Sequence, residues 1–397
     1  MARCWIDVNL DAVTGNYQEV VKRLKGTARC MAVVKADAYG LGAGEVARAL
    51  AKAGCEAFAV TSVAEGLVLR KCGITGIILV LGPSSEEEWE EALSADLCLT
   101  LTSNRVLKKI QEVSARLERK AKVHIELETG MGRTGFSFTQ LGELAALLAE
   151  CPDVIPEGIY THFARAAQRD RGYTRQQFEL FKAGIDYLAE RGIKPQFKHV
   201  CNSAAFLDYP EWHFDFVRIG TLLIGHYPGK GFASKLKLTD PWVARAKVVY
   251  LQNVPKGTFV GYQSIYKTKK ATQLAVIPVG YADGFGVEPH FTPQGVIDLG
   301  KIIVKNMAAL FGKTLGQEKI TLDGKPVRIA GKIGMQLTVL DVGLEECQLG
   351  DEVEIPLRRT QANPYLCRRY WQNGQVVQSR DFLEQSSFAY KNLFEKI

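Results

Sequence analysis

The 397-residue sequence has no apolar run long enough to cross a bilayer. Its longest nearly uninterrupted stretch, Ile74 to Gly82, falls far short of the ~20 residues a transmembrane helix needs. The opening Met1-Ala2-Arg3-Cys4-Trp5-Ile6-Asp7 carries an acid where a signal peptide needs its apolar region. A cytoplasmic protein is expected. Paired cysteines are missing too: the nine, at 4, 30, 55, 72, 98, 151, 201, 347 and 367, form no CxxC and are odd in number. That excludes a disulfide framework and a cysteine-rich zinc site, and fits a reducing compartment. Cys98 and Cys201 lie in apolar, strand-like segments, where a thiol acts as a small hydrophobe. A strong excess of one charge is also lacking, the net value being +7. Residues 1–235 hold 29 basic and 28 acidic side chains, residues 236–397 hold 21 and 15. Five arginines from Arg358 to Arg380 run without an acid. A nucleic-acid face would interleave such charges with exposed aromatics, so a solvated or subunit-contact face is the reading adopted.

What is present is a chain 47% hydrophobic, too long for one ordinary core. Eight short apolar runs occupy its first part: Met31–Asp37, Glu56–Ser62, Gly76–Gly82, Asp96–Thr102, Lys122–Glu128, Pro156–His162, Phe197–Asn202 and Phe214–Gly220. Helical patterns separate them, among them Gly44–Gly54, Ser85–Ser94, Asn104–Arg119, Gln140–Glu150 and Arg175–Arg191. Eight such units point to an α/β fold, a (β/α)₈ TIM-type barrel over residues 1–235. An open doubly wound sheet is the alternative. From 236 to 397 the segments are short, β-branched and broken by Gly, Pro or Asp: Trp242–Leu251, Gln273–Val279, Ile302–Asn306, Val327–Ala330 and Leu337–Asp341. A second, mostly β domain is expected there.

Barrel active sites gather at the C-terminal ends of strands, and polar residues collect at the ends of these runs. They are Lys35 and Tyr39, then Glu126, Glu128 and Arg133, then His162, Asn202 with Ser203, and Arg218. A lysine ending a buried strand is either paired with a carboxylate such as Asp37 or available as a nucleophile for a carbonyl. Gly40-Leu41-Gly42-Ala43-Gly44 does not have GxGxxG spacing, so a dinucleotide loop is rejected. A metal site from His124, Glu126 and Glu128 is weak, because three neighbours on one strand rarely converge on one ion. In the second domain, Val260-Gly261-Tyr262-Gln263-Ser264 and Pro278 to Phe285 carry glycine-bracketed tyrosines, Tyr262 and Tyr281.

The segment Val33-Val34-Lys35-Ala36-Asp37-Ala38-Tyr39-Gly40 resembles the pyridoxal phosphate attachment motif of the alanine racemase family. Glu128-Thr129-Gly130-Met131-Gly132-Arg133, Tyr160-Thr161-His162-Phe163-Ala164, Cys201-Asn202-Ser203-Ala204-Ala205 and Pro278 to Gly284 resemble its other signatures, in family order. The resemblance implies that Lys35 holds pyridoxal 5'-phosphate and serves as the base on one face of the substrate's α-carbon. Tyr262, at the family's spacing from Tyr281, would serve the other face. A tyrosine of ordinary pKa, about 10, is a poor base, and the resemblance assigns its support to His162, linked to Arg218. Arg218 would face the pyridine nitrogen. Tyr39, Asn202, Ser203, Gly220 and Thr221 match the cofactor-binding positions, Arg133 the residue on its phenolate oxygen, and Met335 a contact to the substrate carboxylate. Because Tyr262 and Met335 come from the partner subunit in the family, a homodimer is implied.

The sequence departs from the family in three places. Glu126 stands where many members carry a carbamylated lysine, so it is expected to orient Arg133. Met335-Gln336 replaces a Met-Asp pair, and Pro356 occupies the place of a C-terminal tyrosine for which Tyr365 is a weaker substitute. A racemase for serine or a larger amino acid is therefore the alternative to alanine. A decarboxylase of the same fold and a non-enzymatic cofactor carrier fit less well, given Arg218, Tyr262 and the second domain.

Overall fold

The computed structural model describes residues 3–168, 171–232, 236–287, 299–304, 307, 320–344 and 347–381. They form two compact units, Asn9–Pro241 and Met1–Val8 with Trp242–Ile397.

The unit Asn9–Pro241 is the expected barrel. After β1 (Cys4–Asn9) come eight parallel strands: β2 (Arg29–Val33), β3 (Ala57–Val60), β4 (Ile77–Val80), β5 (Cys98–Leu101), β6 (Ala121–Glu126), β7 (Val154–Tyr160), β8 (Phe197–His199) and β9 (Phe216–Ile219). Their order is β8-β7-β6-β5-β4-β3-β2-β9. The end strands meet through single hydrogen bonds, Arg218 N–H to the Cys201 carbonyl (2.9 Å) and Asp215 N–H to Lys198 (3.1 Å), which nearly close the cylinder. Each strand matches one of the eight apolar runs. Alternate residues point inward, and Met31, Val33, Ala57, Ala59, Leu79, Cys98, Phe197 and Phe216 pack there as one apolar cluster. Helices cover the outside, as the capping chemistry dictates: Ser62 and Glu65 form a reciprocal capping box on helix Val63–Lys71. Helix Leu10–Val21, which the sequence reading did not assign, is started by Asn9, whose Oδ1 accepts from Ala12 N–H at 3.0 Å.

The other unit is mostly β. It contains β10 (Trp242–Lys247), β11 (Tyr250–Val254), β12 (Phe259–Val260), β13 (Tyr266–Lys267), β14 (Thr272–Ile277) and β15 (Ile320–Leu322). The remainder are β16 (Lys325–Ile329), β17 (Thr338–Gly343), β18 (Glu352–Ile355), β19 (Cys367–Gln372) and β20 (Gln375–Arg380). Ten strands form one sheet in the order β11-β14-β17-β16-β15-β18-β10-β1-β19-β20, and β12 pairs with β13.

Two sequence expectations change here. Residues 1–8 group with this unit, because β1 pairs antiparallel with β10, Trp5 opposite Arg245, and the division falls at Pro241 instead of 235. Residues 299–304 are helical, although Ile302–Asn306 read as a strand. Ile303 and Val304 are exposed and meet no ladder, so β-propensity, worth only ~1 kcal/mol, does not decide. Asn306 lies outside the described residues. The arginine run has structural work: Arg368 and Arg359 are buried, and Arg369 binds Asp7 through two nitrogens at 2.8 and 3.0 Å while stacking on Trp5. None of the nine cysteines forms a disulfide. No helix among the described residues is long and apolar enough to cross a membrane.

Asp7 also accepts from Trp371 Nε1 at 2.8 Å and pairs with Arg245 at 3.1 Å, tying β1, β10 and β19 together. Asp7→Ala strands these donors and should lower unfolding free energy by about 2 kcal/mol or more. Urea titration checks this, and a loss below about 0.5 kcal/mol would contradict it.

Candidate active site

Lys35 leaves β2 into an unusual backbone. Ala36, Asp37, Ala38 and Tyr39 all have left-handed φ, from 50 to 56°. Each such non-glycine residue costs roughly 1–2 kcal/mol, so the turn must be held from outside. Glu65 accepts from Ala36 N–H at 2.6 Å, and Asp37 accepts from Ala43 N–H at 2.8 Å. Gly40, at φ 90°, closes the turn by donating to the Ala36 carbonyl. This explains the glycines that could be mistaken for a dinucleotide loop. Asp37 is committed to the turn, and no carboxylate pairs with Lys35 among the described residues. The nucleophile reading of Lys35 gains by that.

The turn swings the Tyr39 phenol across to Gly220, where a side chain would not fit. A Cβ there would lie 2.1 Å from Tyr39 Oη. Ser203 Oγ accepts from Gly220 N–H at 3.4 Å. Tyr39, Ser203 and Gly220 thus crowd one corner, with Thr221 next in the chain. Burial pushes the Tyr39 phenol up to about 12, so it stays a hydroxyl. Asn202 caps the short helix after β8, its Oδ1 accepting from Ala204 and Ala205 N–H at 3.1 Å each, and so places Ser203.

Arg218, on β9, is buried at 3% exposure. Nη1 donates to the His199 carbonyl at 2.9 Å and contacts His199 Nδ1 at 2.8 Å. Nη2 donates to the Thr161 carbonyl at 2.8 Å and meets His162 Nδ1 at 3.4 Å. Burial draws the guanidinium below its ordinary value, yet the group remains a cation at neutral pH. Since it has donors only, both Nδ1 atoms must accept. His162 therefore carries its proton on Nε2. Burial first, then the charges of Arg218, Arg133 and Lys35, push its pKa down to about 3. His199, which the sequence reading missed, is held well below the imidazole range by burial and then Arg218. It sits two residues before the Cys201–Ala205 motif, and only packing shows its role.

Glu126 ends β6, buried at 3% exposure, with Oε1 3.9 Å from Arg133 Nη2. Burial raises its carboxyl, against Thr134, Arg133 and Arg218. At 3.9 Å Glu126 and Arg133 form an ion pair without a hydrogen bond. Glu128 serves the loop instead. Burial raises its carboxyl, but N–H donors of Gly132, Gly130, Arg133 and Met131 outweigh this and the net shift is down. His124, Glu126 and Glu128 therefore do not act as a ligand set, because Glu128 is committed to that loop.

Tyr262 and Met335 belong to the β unit. Tyr262 follows Gly261 (φ 74°) on the β12–β13 connection and is 75% exposed. Tyr281 N–H donates to the Gly334 carbonyl and Ala282 N–H to the Met335 carbonyl, both at 3.0 Å, so Tyr281 and Met335 share one exposed loop cluster.

Two outcomes follow. His124, His162 and His199 are all lowered when folded, so unfolding takes up protons below about pH 6.5, outweighing the raised carboxyls of Glu126 and Asp283. Stability should rise with pH to about 6.5; unfolding free energies that fall between about pH 5 and pH 6.5 would contradict this. Glu126→Gln should weaken cofactor affinity and kcat by about ten-fold, read by absorbance titration and kinetics. No change in either would remove its role.

Comparisons with known proteins agree with this geometry. Family models described as alanine racemase, N-terminal domain and alanine racemase, C-terminal domain match residues 8–228 and 243–365. Alanine racemase 1 of Caldanaerobacter subterraneus subsp. tengcongensis is 36% identical over 352 residues, 88% of this chain and 84% of that one. The alanine racemase of Symbiobacterium thermophilum is 38% identical over 336 residues, 84% and 87% of the two chains. Among solved structures, alanine racemase of Clostridium difficile 630 superposes with a TM-score of 0.85 at 29% identity, covering 96% of this chain and 99% of that one. That of Bacillus anthracis with bound L-Ala-P gives 0.83 at 28%, covering 97% and 99%. The chain belongs to the alanine racemase family.

Proposed function

We propose that this protein interconverts L- and D-alanine as a cytoplasmic homodimer, with pyridoxal 5'-phosphate held on Lys35. The observation that carries the reading is Arg218, a buried cation beside His162 at the C-terminal end of the barrel. The residues fit the cofactor: the corner of Tyr39, Ser203 and Gly220 accepts no Cβ at Gly220 and offers a hydroxyl pair and a backbone N–H to a phosphate. Asn202 sets the start of the adjoining helix, and Thr221 offers the next backbone N–H. Bound there, pyridoxal phosphate supplies the electron sink that makes an amino acid's α-proton removable.

The chain's own groups then divide the work. Lys35 Nζ moves a proton on one face of the α-carbon. Tyr262 of a second copy moves it on the other, which its exposure in the single chain supports. His162, neutral with its proton on Nε2, acts as a hydrogen-bond donor able to stabilise a tyrosine oxygen after deprotonation. At a pKa of about 3 it cannot hold the proton itself near neutrality. Arg218 would face the ring nitrogen as a permanent cation and disfavour its protonation. Arg133, aimed by Glu126, would take the phenolate oxygen, and Met335 of a second copy would contact the substrate carboxylate.

One observation favours a second reading, racemisation of serine or a larger amino acid. Asn363 N–H donates to the Asp283 carbonyl at 3.1 Å, docking the tail on the turn that adjoins Met335. By the resemblance Pro356 stands in the place of the family's C-terminal tyrosine, and Tyr365 is exposed.

Incubation with each enantiomer of a panel of amino acids tests the reading. Inversion of alanine is expected, and release of carbon dioxide without inversion would overturn it. Lys35→Ala should lose the absorbance near ~420 nm of a lysine-bound cofactor and all activity.

A further inference from the structure

The barrel interior holds a second polar cluster that the racemase chemistry does not use. Cys98 on β5, His124 on β6 and Glu157 on β7 bring one potential ligand atom each within 4.8 Å of one another. His124 is fully buried, and its Nε2 and Glu157 Oε2 have no hydrogen-bond partner at ordinary distance, lying 3.8 Å apart. By composition this is a zinc site. The hydrogen bonds on the far side of His124 decide otherwise.

Arg218 Nη1, a donor, makes His199 Nδ1 an acceptor, so the neutral His199 ring carries its proton on Nε2. That nitrogen lies 2.7 Å from His124 Nδ1. His124 Nδ1 must then accept, and its own proton sits on Nε2, aimed at Glu157. A metal would need the Nε2 lone pair. The displaced proton would go to Nδ1, against the Nε2–H of His199. Shifting His199 in turn would set Nδ1–H against the Arg218 donor 2.8 Å away. A second proton on either ring offers no escape, since burial holds both below the ordinary imidazole value. The ring planes are fixed too. Tyr160 stacks on His199 with centroids 5.0 Å apart, and a Cβ on Gly158 would come within 2.5 Å of the His124 ring.

We propose that Arg218, His199 and His124 form a one-way hydrogen-bond chain whose last N–H is directed at the Glu157 carboxylate 3.8 Å away, every proton pointing from guanidinium toward carboxylate, with His199, His124 and Glu157 as positioning residues for Arg218. A carboxylate in contact with Arg218 would screen its charge at close range. Two neutral rings in between let Glu157 orient the guanidinium while its field stays directed at the site. The positioning role rests on the racemase reading; the direction of the chain does not.

Nitrogen-15 NMR of the holoenzyme labelled at its six histidines tests the direction. Unprotonated Nδ1 and protonated Nε2 are expected in both His199 and His124 from about pH 6 to pH 9. A proton on Nδ1 of either ring overturns the chain, as does stoichiometric uptake of cobalt(II) with a thiolate-to-metal band. For the role, Glu157→Leu should lower kcat about ten-fold with KM within about two-fold, and Glu157→Gln, which keeps an acceptor, should recover most of the loss. Parental kcat in Glu157→Leu would overturn the role. Failure of the racemase reading would look different: no inversion by the unaltered protein, with the ring protons as described.

Discussion

A guanidinium sealed inside a barrel, with no carboxylate in contact among the described residues, constrains everything around it. Arg218 can only donate, so the carbonyls of Thr161 and His199 and two imidazole nitrogens turn toward it. Removing a cation from water costs several kcal/mol, and these bonds offset that cost only in one arrangement. The ends of β7, β8 and β9 are therefore pinned together where the sheet lacks a full ladder. Burial and then the charge of Arg218 hold His162 and His199 neutral, and the same bonds put each proton on the nitrogen facing away from Arg218.

The other wall of the site is held by strain. Four consecutive left-handed residues after Lys35 would relax if Glu65 and Asp37 did not hold them. The left-handed path carries the Tyr39 phenol to Gly220, and among the described residues no carboxylate pairs with Lys35. One wall is fixed by a buried charge and the other by a braced turn, so the groups between them are preorganised before any ligand arrives.

The barrel was legible in the sequence because parallel strands buried on both faces read as short apolar runs. The sites at their ends were legible because polar residues there have few structural reasons to exist. Arg218, His162, Ser203 and Gly220 all lie where the runs end. Three things were not legible. Glu65 and His199 act through contacts between distant segments, and a capping box or a strand residue does not announce such contacts. The left-handed turn includes two alanines, Ala36 and Ala38, a residue type that favours helix of the opposite hand. The grouping of residues 1–8 with the β unit depends on β1 finding β10, a pairing across most of the chain. Ile302–Ile303–Val304 failed for the converse reason: the local preference was strand and no neighbour supplied a ladder.

The proposed function, with neutral imidazoles, a fixed cation and one proton-moving group assigned to each side, makes a definite statement about Tyr262. The variant Tyr262→Phe, incubated in deuterated water with each enantiomer of alanine separately, tests it most directly. The account predicts that Lys35 still exchanges the α-proton of one enantiomer, without inversion, while the other is left untouched. Inversion at the parental rate, or exchange of both enantiomers alike, would contradict it.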